Sequence, residues 1–181
     1  MSFFETLVEL ESNEDIHLGR LLLLLKEFSG ADGSNEVAGL TKLAKLDFLL
    51  RYPAYLERAL KAVEKNTLLA AVQDHERRSV ESKMVRFKYG PWDFRYRKFI
   101  NILIGKGLVY ARLEGRSYQL GVTQKGIQVA LELEQGHEFA DIRSRARIIR
   151  RNFNFSGTHL KDFIYKTFPE IGTLQYGTEI K

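Results

Sequence analysis

The sequence predicts a mainly α-helical chain with one small β-hairpin. Apolar residues recur at three- and four-residue spacing through most of the 181 residues, which is the period of helices that bury one face. A single region carries two alternating apolar and polar stretches on either side of a short polar turn, the pattern of a hairpin. Hydrophobic residues make up 44% of the chain and cysteine is absent, so the core must form by apolar packing without disulfides.

The first half of the chain is predicted to be a series of helices. Asn13 is a suitable cap, and Gly30 a suitable end, for a helix over residues 14–29. After a polar loop, Thr41 is a suitable start for a second helix, which Pro53 must bend or break. The next predicted segments are two helices and a strand or extended linker, over residues 54–63, 67–79 and 84–89.

The clearest predicted helix covers residues 91–105. Pro91 is favoured at a first helical position, where its missing N–H is no loss. One apolar face follows at helical spacing, made of Trp92, Tyr96, Phe99, Ile100 and Leu103. Asp93 is expected on the opposite, exposed face together with Arg97 and Asn101.

The predicted hairpin comes directly after this helix. Residues 108–113 and 118–122 alternate in the manner of strands, and residues 114–117 form a polar turn between them. Thr123 is expected to cap the next helix. A basic segment over residues 141–151 and a final helix over residues 158–168, ended by Pro169, complete the prediction.

This order of elements is typical of a winged helix-turn-helix domain. A helix that runs into a two-stranded hairpin occupies the position of the recognition helix, and the hairpin that of the wing. We therefore predict a winged-helix-like domain over residues 1–135, followed by a basic helical extension over residues 136–181.

Basic residues are concentrated in two blocks. Residues 76–125 hold twelve Lys and Arg against four Asp and Glu, and residues 141–166 hold seven against two, within a formal net charge of +5. Such blocks suit phosphate or an acidic protein surface. The candidate nucleic-acid or partner-binding residues are Arg95, Arg97, Lys98, Asn101, Arg112, Arg116, Arg143, Arg145, Arg147, Arg150 and Arg151.

Two interpretations of these residues stay open. Arg97 and Asn101 are side-chain types that read guanine and adenine edges, but a charged helix face is also commonly just solvated, and Asp93 opposes close approach to phosphate. Neutralising Arg143, Arg145 and Arg147 is expected to weaken binding without unfolding the chain.

Aromatic residues interleave with basic ones between residues 86 and 97. This mixture could stack unpaired bases, but core packing is expected for most of the rings because Trp92 and Tyr96 share the face that must be buried. Phe94 lies off that face and is the aromatic residue expected to be exposed.

Catalytic chemistry is not predicted. The four histidines lie far apart without metal-ligand spacing, cysteine nucleophiles are absent, and no glycine-rich phosphate loop occurs. The expectation is therefore a non-enzyme without catalytic residues, metal or cofactor, although a carboxylate site assembled only in the fold would escape this reasoning.

The sequence also predicts a cytoplasmic protein. Its longest aliphatic run is Leu21 to Leu25, whereas a bilayer span needs roughly 20 apolar residues. Glu5, Glu9 and Glu11 stand where a secretion signal would be basic. We expect no membrane partner.

Two segments carry a resemblance to a known family. They are Leu40-Thr-Lys-Leu-Ala-Lys-Leu-Asp-Phe-Leu-Leu-Arg-Tyr-Pro53 and Arg86-Phe-Lys-Tyr-Gly-Pro-Trp-Asp-Phe-Arg-Tyr96, the second followed by the hairpin. The chain thereby resembles, over roughly residues 15–135, the middle component of bacterial three-component ABC-ATPase systems such as Lamassu-type anti-phage defence. The last forty-odd residues lie outside this likeness.

The resemblance implies a winged-helix-like accessory subunit without catalytic activity. Its partners would be an SMC-like ABC ATPase and an effector, often a nuclease, and it could contact double-stranded DNA. The alternative prediction is a winged-helix transcription regulator that reads an operator with Arg97 and Asn101.

Overall fold

A computed structural model describes residues 3–77 and 83–181, with side chains described from residue 14 onward. The chain is mainly helical with small antiparallel sheets. The helices are α1 (Phe3–Ser29), α2 (Gly39–Arg51), α3 (Pro53–Ala62), α4 (Tyr96–Gly105), α5 (Gln124–Leu133), α6 (Ala140–Phe153), α7 (Gly157–Thr167) and α8 (Pro169–Thr173), with 3₁₀ turns at Thr67–Ala70 and His137–Phe139. The strands are β1 (Val37–Ala38), β2 (Val85–Phe87), β3 (Gly90–Trp92), β4 (Val109–Glu114) and β5 (Ser117–Val122).

The strands form two separate antiparallel sheets. The predicted hairpin is confirmed as β4 and β5, which pair from Val109 opposite Val122 to Glu114 opposite Ser117. Strand β1 adds to the free side of β5, so the order in this sheet is β1-β5-β4. The second sheet contains β2 and β3.

Helix α1 is the centre of the core. Leu21 to Leu25 are all buried, because α1 is packed on different sides by α4, α5, α6 and β5. A helix whose apolar residues cover its whole circumference must be surrounded. Gly30, with φ of +80°, ends the helix where the sequence predicts, but the predicted start after Asn13 is wrong because α1 begins at Phe3.

Helix α2 is the second buried element. Its residues from Leu43 to Arg51 are all buried, and it packs against β3, α6 and α7. The break at Pro53 is confirmed, since α3 begins there with proline at its first position.

The predicted helix start at Pro91 is wrong. Gly90–Trp92 is strand β3, paired with β2, and α4 begins only at Tyr96. Pairing with Val85–Phe87 satisfies the extended backbone here, and the Asp93 carboxylate accepts the Arg95 N–H at 2.9 Å before the helix starts. Phe99 and Leu103 remain on the buried face of α4.

The helix predicted over residues 67–79 is also wrong over its described part. Only the 3₁₀ turn Thr67–Ala70 forms, and Ala71, with φ of +47°, ends it. Residues 78 and 79 of that prediction lie outside the described residues.

The segment after residue 135 shares the core of the preceding segment. Helix α6 packs against α1 and α2, and α7 packs against α2. The Tyr52 hydroxyl donates to the carbonyl oxygen of Ile180 at 3.0 Å. The helix predicted over residues 158–168 is found as α7, but Pro169 begins a further helix, α8.

No helix within the described ranges is both long enough and apolar enough to cross a lipid bilayer.

Candidate nucleic-acid and partner interface

Helix α4 exposes polar side chains along the face away from the core. Arg97 and Asn101 are exposed, as the predicted apolar stripe requires. The Lys98 ammonium is engaged with the Glu14 carboxylate at 2.6 Å. Arg97, by contrast, has no acidic partner among the described residues.

Asp93 is not on that face, contrary to the prediction. It is 6% exposed and accepts the Arg51 guanidinium at 2.9 Å and the Arg95 guanidinium at 2.8 Å. Burial acts to raise its pKa, but the hydrogen bonds from Arg95 and the charge of Arg51 outweigh burial and hold the pKa well below its ordinary value. Arg95, predicted to meet nucleic acid, is instead tied to Asp93 and lies over the Phe99 ring.

Below α4, a buried ionic network centres on Asp47. The fully buried Asp47 carboxylate accepts Arg20 at 2.7 and 3.2 Å and the Tyr96 hydroxyl at 2.7 Å, and Arg51 lies 3.5 Å away. The network joins α1, α2 and α4. The spacing in sequence indicates only the pairing of Asp47 with Arg51 one helical turn later; the contacts with Arg20 and Tyr96 depend on how the helices pack.

His17 extends this network on α1. Its Nδ1 accepts the Arg20 guanidinium at 2.6 Å, and its ring stacks on Phe99. Burial lowers the pKa of His17 to about 3, and the charges of Arg20, Arg95 and Arg51 add to the effect. The imidazole is therefore neutral at physiological pH.

The arginines of the network neutralise its two buried carboxylates. Asp47 and Asp93 each accept hydrogen bonds from arginine, so neither is a free carboxylate that could act as a base or hold a cation. Across the described ranges, no group of three or more His, Cys, Asp or Glu residues is arranged to hold a metal ion. The arrangement is a charged crosslink between helices.

The hairpin presents one cation at its tip. Arg112 forms ion pairs with Glu36 at 2.6 Å and with Glu114 at 3.4 Å. A phosphate would therefore have to compete with these two carboxylates for Arg112. Arg116 is exposed in the turn and has no acidic partner in the described part of the chain. Beside it, Leu113 and Tyr118 face each other across the strands, and each is 61% exposed.

In α6, Arg145, one of the predicted binding residues, is buried. Arg145 is 4% exposed. Its guanidinium donates to both carboxylate oxygens of Glu76 at 2.7 Å and to the carbonyl oxygens of Ala70 at 3.0 Å and Ala71 at 2.8 Å. Arg145 links α6 to the 3₁₀ turn, so removing its charge is expected to destabilise the fold.

Two further arginines of α6 have partners within the chain. Arg143 donates to the carbonyl oxygen of Glu134 at 2.7 Å. Arg147 is about half exposed and contacts the carboxylates of Glu134 at 3.3 Å and Glu27 at 3.4 Å. Partial pairing leaves Arg147 within reach of solvent but lowers its positive potential.

The remaining basic residues of α6 form a cationic group with α2. Arg151 is exposed, and the Arg150 guanidinium and the Lys42 ammonium lie 5.6 and 6.0 Å from the Phe28 ring centroid. Burial lowers the pKa of Lys42, and the charge of Arg150 adds to this. Lys42 lies in the first segment that carries the family resemblance, but its proximity to Arg150 could not be predicted because it depends on the packing of α2 against α6.

Comparison with known protein families, curated proteins and solved structures finds no match to this chain.

Proposed function

We propose that the chain is a non-catalytic accessory subunit that links an SMC-like ABC ATPase to an effector nuclease in defence against phage or plasmid DNA. The resemblance of residues 40–53 and 86–96 to middle components of such systems supports this assignment. Contact with double-stranded DNA would be secondary and independent of base sequence.

The topology supports a winged-helix-like design. Helix α4 runs directly into the hairpin of β4 and β5, and the short β1 pairs with β5 as a third strand. This order of elements supports assigning α4 to the position of a recognition helix and residues 114–117 to the wing tip.

The observation that carries the subunit proposal is the exposure of large apolar side chains at two places. Leu113 and Tyr118 form an exposed pair on the hairpin, and Leu68, 81% exposed, adjoins Leu69 in the 3₁₀ turn. Apolar groups of this kind are typical of surfaces that other proteins cover. Two such surfaces suit a subunit that holds two partners.

DNA contact is assigned to four of the cations that have no acidic partner among the described residues. These are Arg97 on α4, Arg116 at the hairpin tip, and Arg150 and Arg151 on α6. Phosphate contacts of this kind orient a protein on a duplex without reading its sequence.

The test is co-purification of the native chain with the ATPase and effector encoded beside it. Two double variants separate the surfaces: Leu113→Thr with Tyr118→Thr, and Leu68→Ala with Leu69→Ala. Each is expected to lose one partner and keep the other, while Leu131→Ala on the exposed side of α5 keeps both. A native chain that always elutes alone contradicts the proposal.

The exposure of Arg97 and Asn101 on one face of α4 favours a second candidate function, the operator-reading regulator. This function requires a mobility shift that discriminates one sequence by roughly a thousandfold or more over random DNA. Binding that is indifferent to sequence rejects the regulator and leaves the subunit proposal standing.

A further inference from the structure

A cluster of aromatic rings lies on the surface beside β2 and β3. We define the aromatic cluster as Phe87, Trp92, Phe94 and Tyr176. Phe87 is its centre: its ring centroid lies 6.3 Å from Trp92, 5.4 Å from Phe94 and 6.3 Å from Tyr176. Residues far apart in the chain thus form one continuous aromatic surface.

Three chain segments hold the cluster in place. Phe87 and Trp92 are carried by the paired strands β2 and β3. The C-terminal segment runs alongside β2, where Gly177 N–H donates to the Arg86 carbonyl oxygen at 2.7 Å and Arg86 N–H donates to the Thr178 carbonyl oxygen at 2.8 Å. These bonds position Tyr176. The surface is therefore preorganised by backbone pairing.

Phe94 is held outward by its neighbours. Asp93 on one side is drawn into the buried network by Arg51, and Tyr96 on the other side is fully buried against Asp47. Phe94 lies between these two anchors and is 64% exposed. Because most of Phe94 stays exposed despite its contact with Phe87, the cluster is a candidate for binding from outside.

Three cations without acidic partners in the described ranges belong to the segments that carry the cluster. The Arg86 guanidinium lies 4.2 Å from the Tyr176 ring centroid and donates to the Phe87 carbonyl oxygen at 3.0 Å. The Lys88 ammonium lies 5.2 Å from the ring centroid of the neighbouring Tyr89, and Arg97 is exposed in the first turn of α4, three residues after Phe94. Aromatic faces combined with unpaired cations are complementary to a strand that offers both bases and phosphates.

We propose that the aromatic cluster binds single-stranded nucleic acid, with bases stacking on Phe94 and its neighbours and phosphates pairing with Arg86, Lys88 and Arg97. Stacking on aromatic rings is tolerant of base identity, because every base has a flat face. This inference goes beyond the proposed function and does not depend on it, since its aromatic residues differ from the two apolar surfaces assigned to protein partners. Arg97 alone is shared with the proposed duplex contact.

The experiment measures fluorescence anisotropy of labelled oligothymidine, labelled oligouridine and a labelled duplex with the full chain. Phe94→Ala is expected to weaken single-strand binding by about 5- to 150-fold, the range that corresponds to loss of one stacked base. Phe94→Leu keeps an apolar side chain but lacks an aromatic face, so it is expected to weaken binding similarly, whereas Phe94→Trp restores affinity. Leu131→Ala, which removes exposed apolar surface on α5, is the matched control and leaves affinity unchanged.

The outcomes are distinguishable. Duplex affinity is expected to be the same for Phe94→Leu and the native chain, because duplex bases are already stacked on each other. Lys88→Ala is expected to make the salt dependence of single-strand binding shallower by about 0.7 in the logarithmic slope. Preference between the two oligonucleotides identifies DNA or RNA as the source. The proposal is overturned if neither oligonucleotide binds, if Phe94→Leu binds as the native chain does, or if duplex binding falls equally.

Discussion

Replacing Asp47 by asparagine is expected to lower the free energy of unfolding by about 3–5 kcal/mol, the cost of removing one partner from a buried ion pair. Asparagine has nearly the same shape but no charge. The substitution therefore leaves the side chains of Arg20 and Arg51, which are 7% and 2% exposed, with less compensation for their buried charges. The loss is a large share of the roughly 5–15 kcal/mol that stabilises a typical domain.

Urea and thermal unfolding at neutral pH measure this loss. For a chain of this size, each kcal/mol corresponds to about 2–4 °C in melting temperature, so a decrease of about 6–20 °C is expected. Glu57→Gln is the matched control, because Glu57 also binds an arginine, Arg77, through both oxygens, at 2.7 and 3.2 Å, but at the surface. It is expected to cost at most about 1 kcal/mol.

The pH dependence adds an independent measurement. Burial acts to raise the pKa of Asp47, but Arg20 and Arg51 outweigh burial and place it below the ordinary value of 3.8. A lowered pKa in the folded state contributes stability above the unfolded-state value, and this contribution is lost as the pH falls toward the folded-state value. The difference between native and Asp47→Asn proteins should therefore shrink below about pH 4. A loss under about 1 kcal/mol at neutral pH would refute the reasoning.

The remaining predictions concern substitutions of two arginines of α6, of one lysine and of two glycines. Arg145→Ala is expected to lower the free energy of unfolding in urea by about 3 kcal/mol or more, because it leaves Glu76 and two backbone carbonyls without their donor. Arg151→Ala should change stability by less than about 0.5 kcal/mol and make the salt dependence of duplex binding shallower. Equal stability losses in the two variants would contradict this. Lys45→Met should raise stability at pH 7 by about 1 kcal/mol, because the substitution removes a buried charge whose hydrogen-bond partner, the Thr41 carbonyl, is neutral. Burial, aided by Lys161, lowers the pKa of Lys45 to about 8, so this gain should fall as the pH rises above 8; a gain that persists at pH 10 would contradict it. Gly126→Ala should lower the melting temperature, since its Cβ would lie 1.9 Å from the Leu108 carbonyl oxygen, while Gly105→Ala, which meets nothing within 4 Å, should raise it.

Local signals in the sequence predicted those elements whose ends are set by nearby residues. The Thr123 hydroxyl accepts the Gly126 N–H at 2.9 Å, and this cap lies within four residues of sequence. The hairpin of β4 and β5 likewise closes through the short turn that contains Gly115, with φ of +60°. Such contacts depend on residue type and spacing alone, so they can be recognised before the fold is known.

The prediction failed where distant residues compete with local preference. Pro91 is favoured at a helix start, but pairing with β2 makes it part of β3. The polar face predicted for this helix lost Asp93 because Arg51, far away in sequence, draws its carboxylate inward. In the candidate site, Phe94 was correctly predicted to be exposed, whereas its contact with Phe87 and the approach of Tyr176 depend on the path of the C-terminal segment.

By itself, the sequence determined a helical chain with a hairpin, a first helix with an unbroken aliphatic run from Leu21 to Leu25, and an excess of positive charge. Only the tertiary structure decided which of those charges face outward. Arg145 and Arg151 belong to the same helix and have the same chemistry, yet one is buried against Glu76 and the other is exposed. The physical reason is that helical spacing sets the direction of each side chain on its own helix, while the partner that it meets is set by the packing of other elements.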